Sequence, residues 1–402
     1  MRSEAAKYLT AEVPGTGGVI KEAPEDFVVT EIPLYQPCGD GEHLYLEFEK
    51  RGITTLEAIR RLARALQVPE REIGYAGMKD SRGVTRQTVS IPRVTPAAAQ
   101  GLALPGIKVL SAVRHRNKLR LGHLAGNRFR IRVRGVGDDA LSLAEAALAI
   151  MSRRGVPNFF GSQRYGGQGN SHLIGMAMLR RDWRGAVEAL IGDPAAVRDE
   201  RWSGAIEAFR RGGLEESIQL FPGHCRTERE VLQRLARQPD GWDKAFQAVH
   251  PRLKKLYLSA VQSWLFDAVV ARRLSSLDLL VAGDIACKHD NGACFLVADV
   301  ASESGRALVM EISPTGPMFG SKMLSPQGEP LAMEEALLRE NGLCVDDFRG
   351  SGVLALDGER RPLRIPVAEP SVCLDGDDLV VSFSLPKGAY ATSVLREVMK
   401  TE

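Results

Sequence analysis

The chain has 402 residues, 44% hydrophobic and 26% charged, with a formal net charge of +3. That composition excludes a disordered or collagen-like chain and suits two or three globular domains. No run approaches the ~18 uninterrupted apolar residues of a membrane span, and the first ten residues lack the basic-then-apolar order of a signal peptide. A soluble, cytoplasmic protein is expected. In chain order, residues 19–31 and 43–50 alternate as strands, the second with Leu44, Leu46 and Phe48 on one face. Thr54 or Thr55 caps a helix in which Leu56, Ile59, Ala63 and Leu66 keep helical spacing, and Pro69 marks its exit. Residues 74–83 form a glycine-punctuated turn before a strand at 85–91. Residues 128–134 alternate strictly as a strand, and a helix spans 139–154, ended by Gly155.

From Val156 the texture changes to glycine- and aromatic-rich sequence, then to mostly helical sequence with a long, largely buried helix over 252–274. β character resumes at 279–299, and the tail returns to strand at 378–385 and to a short helix after Thr392. Strands on both sides of a helical middle predict an α/β (α+β) chain with one domain inserted in another. Residues 1–155 and 358–402 then make the first domain, and 156–357 the insertion.

The six cysteines include no C-x-x-C pair and read as reduced thiols. Cys287 and Cys294 flank Asp290-Asn291-Gly292 and can meet across a hairpin with His289 between them, but zinc there needs a fourth ligand, so no metal is expected. The charge is far from uniform. Residues 81–137 hold no Asp or Glu and twelve cations: Arg82, Arg86, Arg93, Lys108, Arg114, Arg116, Lys118, Arg120, Arg128, Arg130, Arg132 and Arg134. Such segregation points to nucleic acid, with a merely solvated basic face as the alternative. Within Arg128-Phe129-Arg130-Ile131-Arg132-Val133-Arg134, alternation sends the apolar residues inward and four arginines to the other face. That row repels itself unless an anion or nearby carboxylates neutralise it. Arginine outnumbers lysine in the window, and its planar fork grips phosphate and stacks on bases.

No phosphate-loop, dinucleotide, nucleophile-elbow or zinc-protease motif occurs. The remaining chemical candidate is Asp80, beside Lys79 with Arg82 and Arg86 downstream. Nearby cations lower a carboxyl pKa, leaving a charged group fit to act as nucleophile or general base. The alternative is an aspartate that caps a turn.

The segment Ala76-Gly77-Met78-Lys79-Asp80-Ser81-Arg82-Gly83-Val84-Thr85-Arg86-Gln87 resembles the signature of the TruD family of tRNA pseudouridine synthases. Four further blocks match in order: 15–29 with Lys21 and Pro24-Glu25-Asp26-Phe27, 114–122 running on to Gly126-Asn127-Arg128-Phe129, 155–166, and 385–397. The middle of the chain resembles the family only in parts, and its length and loops look more like the larger archaeal-type insertion. The resemblance implies a pseudouridine-synthase-type catalytic domain with a mixed or antiparallel sheet and an inserted α/β TRUD domain. RNA would bind between the two domains.

It implies an isomerase for tRNA, at uridine 13 in the D arm, that needs no metal, nucleotide or redox cofactor and no membrane; the sequence leaves the oligomeric state open, with a monomer favoured. Asp80 matches the catalytic aspartate, and Lys21 the cation that keeps it ionised. Phe129 matches the ring that stacks on the target uracil, and Asn127 the amide beside it. From alternation alone, Phe129 belongs to the core. Phe27 would support the pocket, Phe160, Gln163 and Arg164 would line its mouth, and Arg82, Arg86, Arg114, Arg116, Lys118, Arg130 and Arg132 would hold the RNA. The alternatives are a non-catalytic RNA-binding or RNA-folding protein, and a synthase of the same chemistry acting on another RNA site.

Overall fold

Alternating residues in the first third of the chain assemble into one mixed sheet in the computed structural model, which describes residues 8–350, 352 and 355–401. Its strands are β1 (Phe27–Pro33), β2 (His43–Arg51), β3 (Gly74–Tyr75), β4 (Val84–Pro92), β5 (Ile107–His115) and β6 (Leu124–Val133). A hairpin from the tail, Ala368–Asp375 and Asp378–Pro386, completes it. The order is Ala368–Asp375, Asp378–Pro386, β6, β1, β4, β2, β5, with β3 on β4. β1 and β4 run parallel, and the other neighbouring strands are antiparallel.

Register decides what each face carries, because directly paired residues point the same way. Phe27, Val29 and Glu31 of β1 share a face with Ile131, Phe129 and Asn127 of β6. Leu44, Leu46, Phe48 and Lys50 of β2 continue it through Ile91, Val89, Gln87 and Thr85 of β4. Helix α1 (Thr55–Ala65), started by the Thr54 side chain accepting the Glu57 N–H, buries Ile59 and Leu62 against the β2–β4 half. Helix α3 (Ala140–Arg154) and the C-terminal helix Ala391–Met399 bury Ala144, Leu148, Val394 and Leu395 against the β1–β6 half. Helix α2 (Pro96–Gln100) packs at the β5 side. Each fully buried leucine or phenylalanine contributes roughly 1.5–3 kcal/mol. Between the two apolar halves this face carries Glu31, Lys50, Gln87 and Asn127 instead.

The chain divides at 156/157 and again at 364/365. Residues 157–364 form their own unit: among the described residues, nine helices of at least five residues, the longest Pro251–Arg272, and a four-stranded antiparallel sheet. The long helix buries Leu258, Val261, Leu265, Phe266, Val269 and Val270. Cys287 and Cys294 are cross-strand partners, as their spacing predicts, and both thiols are free. His289 instead bonds Ser313 Oγ at 2.8 Å.

Two expectations are corrected by these contacts. The insertion does not end at residue 357: Glu359–Pro362 pairs with Ile312–Met318, and the fully buried Arg364 donates to Ser313 Oγ and the Ala307 carbonyl. Nor is 19–31 one strand. Val19 makes a single bridge to Arg134, Lys21 turns into the left-handed region, and Pro24–Asp26 is a 3-10 turn, so β1 starts only at Phe27. Residues 1–7 of the expected first domain lie outside the described residues.

Candidate active site

The loop from Ala76 to Gly83 enters β4 over the polar gap in the sheet face. It is fastened from below. Lys79 N–H donates to Thr55 Oγ1 at 2.9 Å, and that hydroxyl donates to Gln87 Oε1 at 3.0 Å. Lys50, with no exposed surface, donates to the carbonyls of Ile53 and Asp80, each at 2.8 Å. Burial lowers the Lys50 pKa to about 8, although the Asp80 charge pulls it back up. At the loop's end, a Cβ on Gly83 would sit 2.5 Å from the Phe27 carbonyl, so only glycine lets the loop come this close to β1.

Asp80 is gripped on both oxygens. Oδ2 accepts from Lys21 Nζ at 2.5 Å, and Oδ1 accepts from the Arg82 backbone N–H at 3.0 Å. Burial works to raise its pKa, but the Lys21 bond and charge and the backbone N–H groups of Arg82 and Ser81 outweigh it, holding the carboxyl below the usual aspartate value. Lys21 reaches this position from a backbone φ of +64°, a conformation that costs a side-chain-bearing residue roughly 1–2 kcal/mol. Its Nζ also lies 4.2 Å from the centre of the Phe27 ring. Phe27 meets Phe129 edge-on at 6.3 Å, and Phe129 meets Phe383 at 5.4 Å. An ionised carboxylate, a cation and a run of aromatic rings are therefore continuous.

A second charged group lies on the same face. Lys79 Nζ is 2.5 Å from Asn127 Oδ1 and 3.2 Å from Glu31 Oε2, with the Lys79 and Glu31 side chains only 6% and 5% exposed. Burial raises the Glu31 pKa and lowers that of Lys79, each countered by the other's opposite charge. Three cations and two carboxylates thus share the gap. Such a constellation can hold an anion-rich substrate while presenting one carboxylate as base or nucleophile.

The model for the family described as tRNA pseudouridine synthase D (TruD) matches residues 4–398. The chain belongs to the TruD family. Curated relatives bearing that name include one from Geotalea daltonii, 65% identical over 394 residues, covering 98% of this chain and 99% of the relative. One from Thermus thermophilus is 40% identical over 408 residues, covering 100% and 94%. A crystal structure titled putative tRNA pseudouridine synthase D, from Methanosarcina mazei, matches with a TM-score of 0.87 at 28% identity, covering 98% and 96% of the two chains.

In this TruD-family chain the structure brings Lys21, Phe27, Asp80, Asn127 and Phe129 to one face of one sheet. Phe129 is only 6% exposed and belongs to the apolar cluster, as its alternation predicts. The basic row does not join them. Arg130 and Arg132 alternate with Phe129 and so face the other side of the sheet, where Arg86 also points. Carboxylates from elsewhere in the chain neutralise that side: Arg128 meets Glu369, Arg130 and Arg132 meet Asp375, Arg132 also meets Asp378, and Arg86 meets Glu49. The acid-free window is silent only along the sequence. Arg116 is held by Asp40, Arg114 by the carbonyls of Gly41 and Glu42, and Lys118 by the carbonyl of Arg71. Arg82 and Arg120 are exposed with no carboxylate partner among the described residues.

Phe160, Gln163 and Arg164 lie in the other unit. Arg361 sits 4.3 Å over the Phe160 ring, Arg164 donates to Ser263 and Ser259, and Gln163 is exposed. Sequence reading missed Glu31, Lys50 and Lys79 as members of the site. The first two carried a signal: each is a charged residue in the inward phase of an otherwise apolar strand face.

Proposed function

We propose that this chain isomerises a uridine of tRNA to pseudouridine, at uridine 13 of the D arm, in the cytoplasm. The observation that carries the reading is the Asp80 carboxylate, kept ionised by Lys21 at 2.5 Å and by backbone N–H groups, beside the Phe27–Phe129 rings. In the reaction the N1–C1′ bond breaks, the uracil turns, C5 bonds to C1′, the C5 hydrogen leaves as a proton and N1 gains one. Asp80 serves either as nucleophile at C1′ or as the base that removes a ribose proton to give a glycal. Lys21 stabilises the charged form in both routes. Phe129 is the ring against which the displaced uracil stacks, and Asn127 supplies an amide for its polar edge. Arg82 and Arg120, free of carboxylates, are the side chains best placed to take phosphate, with Arg114, Arg116 and Lys118 as weaker contributors.

The test is release of tritium from tRNA labelled at uridine C5, with Asp80→Asn as control. Release by the wild type alone, lost when uridine 13 is replaced by cytidine, supports enzyme, residue and position together. Tight binding without release from any tRNA would instead establish a non-catalytic RNA-binding protein.

A further inference from the structure

The Asn127 amide is not free to choose which end it shows a substrate. Lys79 Nζ, 2.5 Å from it, carries only donors, so the atom facing Lys79 must be the carbonyl oxygen. Lys79 cannot swing away. Its ammonium is buried against the Glu31 carboxylate at 3.2 Å, its backbone N–H is tied to Thr55, and β1 and β6 place Glu31 directly opposite Asn127. The Asn127 Nδ2 has no hydrogen-bond partner among the described residues.

We propose that Lys79, with Glu31 as its counter-ion, is a specificity-positioning residue that locks the Asn127 amide so that only its NH2 edge meets the base. The site then reads a carbonyl oxygen of the pyrimidine, not its N3–H. Where that oxygen is O4, cytosine is rejected, because its amino group sets donor against donor. This rests on the assignment of Asn127 to uracil recognition.

Asn127→Asp is the decisive variant, since it exchanges NH2 for oxygen at nearly constant shape. A locked donor predicts at least a tenfold loss of kcat/KM, on the order of one hydrogen bond to the base, carried mainly by KM. An amide that accepts from N3–H predicts retained activity, and that result overturns the proposal. The second measurement compares tRNA bearing uridine, 2-thiouridine or 4-thiouridine at the target, sulfur being the poorer acceptor. Wild type should disfavour one of the two thio substrates. Lys79→Met, which frees the amide to rotate, should shrink that preference toward one, whereas Lys79→Arg, also donor-only, should keep it. An unchanged preference in folded Lys79→Met overturns the proposal, and if that variant does not fold, Asn127→Asp decides alone. Failure of the functional reading is distinguishable, because then no tRNA is isomerised by the wild type.

Discussion

The two faces of the large sheet use their charged side chains in opposite ways. On the helix-covered face, Lys21, Lys50, Lys79, Glu31 and Asp80 sit in a gap between two apolar clusters, mostly buried, and each charge is aimed at a named atom. On the other face Arg86, Arg128, Arg130 and Arg132 pair with carboxylates at largely exposed positions. Low dielectric and fixed geometry make the first set consequential, while exposed pairs are worth only about 0–1 kcal/mol each. Charge density along the sequence therefore says less about function than the face on which a charge falls.

The strongest way to break this comparison is Asp80→Asn. It should lower kcat by at least about a thousandfold, the loss of an activated nucleophile or base, while tRNA affinity stays within about twofold. Because the folded Asp80 pKa lies below 3.8, its ionised form persists on acidification, and the stability it contributes is lost only as pH falls through that lowered value. Asp80 should thus contribute no acid limb to kcat between pH 7 and 5, whereas Lys21→Met should raise the Asp80 pKa and move its own limb upward toward that range.

Phe129→Ala should destabilise the protein by about 3–5 kcal/mol in urea unfolding, because the ring is built into the core as well as facing the site. A loss below about 1 kcal/mol would mean that the ring is not core. Lys50→Met leaves the Asp80 and Ile53 carbonyls without their donor and should cost about 1–3 kcal/mol at neutral pH. Its pH dependence has a definite sign. The folded pKa of about 8 lies below the roughly 10.4 of an unfolded lysine, so the unfolded chain binds more protons between those values. In wild type this group's contribution to stability rises with pH across that window, and in Lys50→Met the rise should vanish.

The smallest effects belong to the paired face. Arg130→Gln with Arg132→Gln should change tRNA affinity by less than about twofold and leave its salt dependence unaltered. Arg82→Gln with Arg120→Gln should reduce the slope of log K against log salt by about 1 per lost phosphate contact. Equal effects from both doubles would erase the distinction between carboxylate-paired and unpaired arginines.

Much of this was legible in the residues. The strand pattern gave β2 and β4 within one residue and the second half of β6, which in fact starts earlier at Leu124, the Thr54 cap gave α1, and the inward phase of Phe129 gave its burial. Asp80 stood out as the one carboxylate at the head of a basic window. What sequence could not give was long-range pairing: Glu369, Asp375 and Asp378 lie far from the arginines they neutralise, and no local pattern announces that meeting. The turn at Lys21 was hidden for another reason. A lysine in the left-handed region breaks the alternation around it, so a turn was read as strand. Glu31 and Lys50 were readable in principle, since a charge in the apolar phase of a strand has to find a partner or a task.

The terminal hairpin also sets a schedule for synthesis. Arg132 bonds Asp378, 246 positions later. At about 5–20 residues per second a ribosome takes on the order of 10–50 s to deliver that partner after β6 has emerged. For that interval β6 lacks the strand that closes it, and an open strand edge invites pairing with other nascent chains. Four like charges along β6 oppose such pairing until the acidic hairpin arrives. The arginine row is thus a guard during translation that becomes a clasp once translation is complete, and a chain stopped before Ala368 would keep the guard without ever gaining the clasp.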